Sequence, residues 1–356
     1  MDHARILYAF FTMLCAAAAS TAQQSVVVPC DRDNTLYEST SGAFSNALGE
    51  SIFVGVTAQN TVRRALLHFD VASALPSGAR IVAATLHLEV VTSGATAPAT
   101  AGLHRVVADW GEGTSYALTG GGGQGAPSTV GDATWTRRFH PSTPWASAGG
   151  DYQAGPSATF SLPIAGAAVC GPTQALTADV QSWLDQPATN FGWLIKAAVE
   201  TVTAARARRI HSREAPGAVP ALVVHYLLPG ETGSWGVGCA VGTGTFAFAF
   251  VGPMVGGTTV QLAHTNGPPL SLAVNYFALG LDPAGVPLLP GCALHLPAAL
   301  EWIPGNLVAL DAAGAGSSPW PVPAAYPGLF FVSQSAALAN TPLGLVVSNT
   351  GVAVLQ

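Results

Sequence analysis

Four hard oxygen donors, Asp31, Asp33, Asn34 and Glu38, fall within eight residues near the start of the chain. Carboxylate and amide oxygens are what Ca²⁺ takes, so the cluster is a candidate calcium site, although its spacing is not that of an EF-hand loop. The competing reading is that Asp31 and Asp33 cap turns while Asn34 and Glu38 bond neighbouring backbone. A structural calcium is the one ion suggested, and no cofactor is required. A second acidic set, Asp109, Glu112, Asp132 and Asp151, lies in one loop-rich region. Glycoside hydrolysis needs two carboxyls about 5–10 Å apart, but carboxylates so placed also orient loops or bind calcium. The chain has no GxSxG elbow, no HExxH helix and no phosphate-cradling glycine loop ending in Lys, the signatures of a positioned nucleophile, a catalytic zinc or a bound nucleotide. The nine histidines are scattered, and His68 and His87 read as polar surface groups on strands. No catalysis is expected.

Trp110, Tyr116, Trp135, Trp145 and Tyr152 occupy the loop-rich middle of the chain, with Asp109, Glu112, Arg137 and Arg138 close by in sequence. A sugar ring presents C–H bonds that pack on aromatic faces and hydroxyls that need hydrogen-bond partners. The five aromatics are therefore candidate ligand contacts. Trp145 and Tyr152, in a Gly- and Pro-rich stretch, are expected to be exposed, whereas Trp110 and Trp135 can instead close one end of a sandwich as core residues.

The elements that must position these groups are short strands. The 40 Gly and 26 Pro punctuate short apolar runs, which favours strands and turns over long helices. Leu67, Phe69 and Val71 alternate with His68 and Asp70, and Leu86, Leu88 and Val90 with Thr85, His87 and Glu89. That is the period of a half-buried strand. Further strands are expected at Phe191–Ala197 and Pro220–Leu227, and a glycine-rich surface loop at Gly120–Ser128. One short helix is expected, capped by Thr177 and helped by Asp179 at the positive end of its dipole. Leu176, Val180, Trp183 and Leu184 form its apolar face, and Pro187 ends it. The first domain spans residues 24–228 and a linker residues 229–234. A smaller β-sandwich over residues 235–356 follows, in which Phe246, Phe248 and Phe250 alternate with small residues and Leu270–Phe277, Leu307–Leu310 and Leu345–Val347 are further strands.

Residues 1–22 read as a secretory signal, with Arg5, the apolar run Ile6–Ala19 and the small residues Ser20-Thr21-Ala22 before Gln23. An apolar run of fourteen residues is short for a span of about 20, so no membrane span is expected after cleavage. Cys15 lacks the small preceding residue that lipid attachment wants. The remaining cysteines, Cys30, Cys170, Cys239 and Cys292, are even in number, which in an exported chain suggests two disulfides. The simplest pairing is Cys30–Cys170 with Cys239–Cys292, two other pairings staying open; a zinc site lacks any close ligand spacing. Thirteen basic against 19 acidic residues, with Lys196 the only lysine, exclude a polyphosphate partner such as nucleic acid and an anionic membrane surface.

The ordered set DRDNTLYE (Asp31–Glu38), RRALLHFDV (Arg63–Val71), DWGEGTS (Asp109–Ser115), GDATWTRRF (Gly131–Phe139), ADVQSWLDQPATNFGWLIK (Ala178–Lys196) and SREAPGAVPALVVHY (Ser212–Tyr226) resembles the DNRLRE domain, a secreted family related to carbohydrate-binding module family 96. The resemblance implies an all-β fold: a jelly-roll-like β-sandwich with one short helix, exported by a bacterium and serving as an accessory module of polysaccharide-active or surface proteins. It raises the expectation of a structural calcium, and it implies that Arg63, Arg64 and Arg137 are candidate partners for uronic-acid carboxylates, which planar guanidinium groups bind well. Each of Arg63 and Arg64 can equally bridge to an acid such as Asp70 or Glu214, and Ser212-Arg213-Glu214 can tie the last strand to the first. The Gly-Cys contexts at Cys239 and Cys292 and the ending GLVVSNTGVAVLQ (Gly344–Gln356) resemble a C-terminal domain of exported proteins from planctomycete- or myxobacteria-like bacteria. The expected partner is an extracellular polysaccharide; the alternative is a structural or adhesive scaffold that contacts surface proteins.

Overall fold

The computed structural model describes residues 23–91, 95–118, 120–201 and 206–356, so the expected signal segment lies outside it. The strand Arg80–Val91 is the hub of the first sheet. One edge pairs with Ala221–Leu227, which in turn pairs with Gln24–Pro29. The other edge takes Gly166–Cys170, and Arg208–His211 continues the first edge at the strand's C-terminal end. The second sheet runs Arg32–Tyr37, Val62–His68, Trp193–Ala197, Ala99–Arg105, Ala158–Leu162. One strand joins the two layers. Ser51–Val56 pairs with Arg208–His211 along its length and, at Gly55 and Val56, with Arg63 and Val62.

Alternation decides what lies between the layers, because every second side chain of a strand faces the opposite sheet. Leu86, Leu88 and Val90 meet Ala65, Leu67, Trp193 and Ile195 there. Each such large side chain contributes roughly 1.5–3 kcal/mol by leaving water. The strand that carries Leu67 stops at His68, and Asp70 instead caps a helical turn, Val71–Ala74, by accepting from Ser73 N. The helix is Gln174–Asp185, with Leu176, Val180, Trp183 and Leu184 buried in the same core. It begins one turn earlier than Thr177. Thr173 is the extended residue whose Oγ1 accepts from Leu176 N at 3.1 Å. Asp179 consequently sits inside the helix, buried, holding Arg105, Ser157 and Trp193.

Of the two expected disulfides one is present, Cys239–Cys292. Cys30 and Cys170 are separate buried thiols. The register explains why: Cys170 pairs with Leu86, Leu86 with Leu222, and Leu222 with Val28, two residues from Cys30. Three strand spacings of about 4.8 Å separate the two cysteines, well beyond the roughly 4.4–6.8 Å between the Cα atoms of a disulfide.

Residues 106–152 carry little regular structure, yet they build a second core. Val106, Trp110, Ala133 and Trp145 pack on Leu36, Leu66 and Leu194 from the outer face of the second sheet. The loop-rich middle of the chain is therefore a lid over that sheet.

The C-terminal domain is also a sandwich. Its five-stranded sheet runs Thr232–Trp235, Leu345–Val354, Phe330–Leu338, Leu272–Ala278, Ile303–Ala309, and its three-stranded sheet Ala247–Val251, Thr259–Thr265, Gly316–Pro321. Phe248 and Phe250 meet Phe277 and Phe331 between them. The segment between the domains is a tight turn, since Thr232 already belongs to a strand and Glu231 Oε2 accepts from Leu228 N at 2.8 Å. Val82 and Leu227 of the first domain pack with Val332, Val352 and Val354 of the second in one shared core. Among the described residues no helix is long and apolar enough to cross a membrane.

Candidate functional site

The crossing of Ser51–Val56 from one sheet to the other opens a pocket of 280 Å³. Three guanidinium-bearing residues line it: Arg63, Arg206 and Arg209. Arg209 pairs across the ladder with Phe53, so the two share the outer face of the first sheet. Arg206 is held at the rim by a bridge to Val56, reinforced by Ala207 N donating to Val56 O at 2.9 Å. Arg63 is the second residue of the strand Val62–His68 and is only 5% exposed. It lies over the Tyr37 ring at 4.8 Å and donates to the carbonyls of Val62 and Gly123 and to Thr61 Oγ1.

The far wall is the glycine loop. Tyr37 Oη donates to Gly122 O at 2.7 Å. Gly121 adopts φ +64°, and a Cβ there would stand 2.8 Å from Arg209 Nη1. Glycine thus lets the loop close against the arginine. No carboxylate lines the pocket, and none of the three arginines makes an ion pair among the described residues. Glu38, an acid whose charge reaches Arg63, spends Oε2 on Val62 N at 2.6 Å. Burial makes the charged form of Arg63 costly and lowers its pKa. Three guanidinium groups with no ion-paired carboxylate are an arrangement that can receive an anion, because such groups bind carboxylate or sulfate through paired N–H donors.

The other sequence-derived candidates lie elsewhere. Trp110 and Trp145 are core residues, 0% and 5% exposed, donating from Nε1 to Phe191 O and Thr134 O. The expected exposure of Trp145 is thus overturned: a Gly- and Pro-rich stretch need not lie in water when it covers an apolar sheet face. Trp135 and Tyr152 are half-buried against the same core. Arg64 lies over both rings, at 4.9 and 5.5 Å, and spends its donors on Glu200 and Gly149 O. Its acid is therefore Glu200 rather than Asp70 or Glu214. Tyr116 is half exposed, and Arg137 pairs in a two-stranded ribbon with Pro144. His68 is buried, bonded through Nδ1 to Asp31 at 2.6 Å, while His87 lies in the other sheet, opposite Val169 and Ala221.

The candidate calcium donors do not converge on one point. Asp33 and Asn34 are adjacent in an extended strand, so they point to opposite faces. Asn34 Oδ1 accepts from Thr35 N, Ser45 Oγ and Asn46 N. Asp31 faces His68, and Glu38 caps the backbone at Val62. Asp33 belongs to a different arrangement, centred on a cation the protein itself supplies. Arg213 N donates to Asp33 Oδ2 at 2.6 Å, and the Arg213 guanidinium grips Glu112. Glu214 Oε1 lies 2.9 Å from Arg213 Nη2, outside hydrogen-bond geometry. The remaining acids orient loops: Asp132 accepts from Thr129 N, Asp151 from Ala146 N and Ser147 N, and Asp109 from Trp110 N.

The sequence reading singled out Arg63 but not Arg206, Arg209 or the glycine wall. One signal was available, since Arg206, Arg208 and Arg209 fall within four residues of a chain holding 13 basic residues in all. Strand alternation then separates them. Arg208 turns inward, 2% exposed, onto the carbonyls of Pro163, Arg206 and Ala97, while Arg209 faces out. Comparison of the chain with protein-family models and with curated proteins gives no match.

Proposed function

We propose that the first domain is a non-catalytic module that binds an acidic polysaccharide, taking one carboxylate or sulfate of the glycan in the Arg63–Arg206–Arg209 pocket. The observation that carries this reading is the set of three guanidinium groups around one opening with no carboxylate among them. The volume, just below that of ligand pockets of about 300–1,000 Å³, suits a single anionic sugar unit at the edge of a longer chain. Phe53, at the wall, supplies an apolar face beside the cations. The resemblance of Asp31–Tyr226 to the DNRLRE domain, a family related to carbohydrate-binding module family 96, points the same way. Export to the cell surface or beyond belongs to the same proposal, and the disulfide Cys239–Cys292 supports it.

Calorimetric titration with alginate and polygalacturonate, against neutral dextran, tests the proposal. The polyanions are expected to bind and dextran not. Arg206→Ala and Arg209→Gln are each expected to weaken binding about tenfold, the loss of one charge-assisted contact. A folded protein that ignores both polyanions, or variants that bind them like the parent, would overturn the reading and leave the surface-scaffold account in its place.

A further inference from the structure

We propose that the crevice between the two domains is a second binding site, for a small organic anion with an apolar body such as a medium-chain carboxylate. Its volume is 530 Å³, within the range of small-ligand pockets, which favour domain interfaces. One wall is a face of the helix Gln174–Asp185. Gln174, Thr177, Ala178 and Gln181 line the crevice, and their spacing places them on one stripe, distinct from the apolar stripe sunk in the first domain's core. The opposite wall comes from the second domain and is apolar, with Leu281, Leu300 and Phe330. At its rim Leu279 and Leu300 are 60% and 43% exposed. Large aliphatic side chains facing water beside a concave wall are what an apolar ligand body would cover.

One charged side chain lines this crevice, Arg80. Its Nε donates to Gly328 O at 3.2 Å, and no carboxylate pairs with it among the described residues. In the same wall Thr177 Oγ1 is buried without a hydrogen-bond partner, although a buried hydroxyl normally has one. A single guanidinium, an unused hydroxyl and an apolar trough select a ligand with one anionic end and a hydrocarbon remainder. A polysaccharide fits poorly here, because its many hydroxyls would lose water against leucines. The site is therefore independent of the three-arginine pocket and of the function proposed for it. A ligand seated here touches both domains, so its binding also holds them together.

The test uses the full chain, with anilinonaphthalene sulfonate as fluorescent probe and decanoate as competitor. The probe is expected to bind and decanoate to displace it. Ala178→Trp, on an exposed helix position, fills the crevice and is expected to abolish both signals while circular dichroism stays that of the parent. Arg80→Gln is expected to weaken decanoate about tenfold and to leave decanol unchanged. As a second blocking variant, Leu300→Glu sets an acid at the rim and is expected to repel decanoate. Failure of decanoate to displace the probe from the parent overturns the proposal. So does displacement that persists unchanged in both Ala178→Trp and Leu300→Glu.

Discussion

Arg213 grips Glu112 through two parallel bonds, Nε to Oε1 at 2.9 Å and Nη2 to Oε2 at 2.7 Å, across 101 residues of sequence. The same carboxylate accepts from Asp33 N at 2.8 Å, so one pair fastens the first edge strand, the lid and the turn that precedes the last strand. Arg213 is also the last basic residue of the chain. Removing it leaves Asp33, Glu112 and Glu214 facing one another without a cation. Breaking a buried pair from one side costs about 3–5 kcal/mol, and partial exposure of Arg213 reduces this to about 2–4 kcal/mol. Arg213→Ala is expected to lower stability by that amount in urea unfolding. The double variant with Glu112→Gln should recover part of the loss, because the like-charge contact goes with it.

Asp33 gives the molecule a pH dependence of unusual sign. Its carboxyl is fully buried, and desolvation pushes its pKa well above the usual range; Glu214 and Glu112 add to the push, and Arg213 opposes it. Glu214 is raised as well, again chiefly by burial. In the unfolded chain both ionise near pH 4. Above that pH the folded chain holds more protons than the unfolded one, so the stability from these groups falls as pH rises through their folded values. Asp31 acts in the opposite sense. Burial pushes it up, but the hydrogen bond and charge of His68 bring it below its ordinary value, so its contribution is lost as pH falls. Asp33→Asn removes the buried ionisation and is expected to flatten the decline of the melting midpoint as pH rises above about 4. A variant whose midpoint falls as steeply as the parent's would rule this account out.

Cys30 and Cys170 should behave as silent thiols. Burial pushes Cys170 up to about 12 and raises Cys30 well above the ordinary thiol value, so neither forms the reactive thiolate at neutral pH. In a protein made from Gln23 onward, which lacks Cys15, a thiol reagent is expected to find no reactive group in the native state and two in denaturant without reductant. Four under those conditions would mean the Cys239–Cys292 bond is absent, and none would mean that Cys30 and Cys170 are linked. The bond closes a loop of 53 residues. By loop entropy its removal through paired serines should cost about 4 kcal/mol.

What the sequence made legible was whatever follows a short period. The core faces of Leu86, Leu88 and Val90, of the helix with Trp183, and of Phe248 and Phe250 all sit where alternation or helical spacing places them. The lid was opaque, because residues 106–152 have no period and their burial comes from irregular turns laid over Leu36, Leu66 and Leu194. The arginine pocket was opaque for a different reason. Arg63 and Arg209 meet only because Ser51–Val56 changes sheets between them, and no local pattern announces such a crossing. The same contrast yields a prediction for Trp145, a natural choice for a sugar-stacking residue by composition alone. At 5% exposure, with its indole N–H bonded, Trp145→Ala should cost about 3–5 kcal/mol of stability. At temperatures where the variant stays folded, it should leave polyanion affinity at the three-arginine pocket unchanged.

The two sandwiches should melt as one unit. Val82 and Leu227, at 1% and 0% exposure, lie in a core whose other members, among them Val332, Val352 and Val354, belong to the second domain. Gln24 Nε2 donates to Glu231 Oε1 at 3.0 Å, and Tyr226 Oη donates to Gln24 Oε1 at 2.9 Å, which fixes the turn between them. A shared apolar core of this kind couples the stabilities of the parts that build it, whereas domains joined by a flexible linker unfold separately. A single calorimetric transition is therefore expected for the whole chain. A fragment ending at Leu228 should expose Val82 and Leu227 to water and associate in solution, and Leu227→Thr in that fragment should restore the monomer, since it removes the larger apolar group. Two well-separated transitions in the whole chain, or a fragment that is monomeric without the substitution, would show that the shared core does not bind the domains into one folding unit.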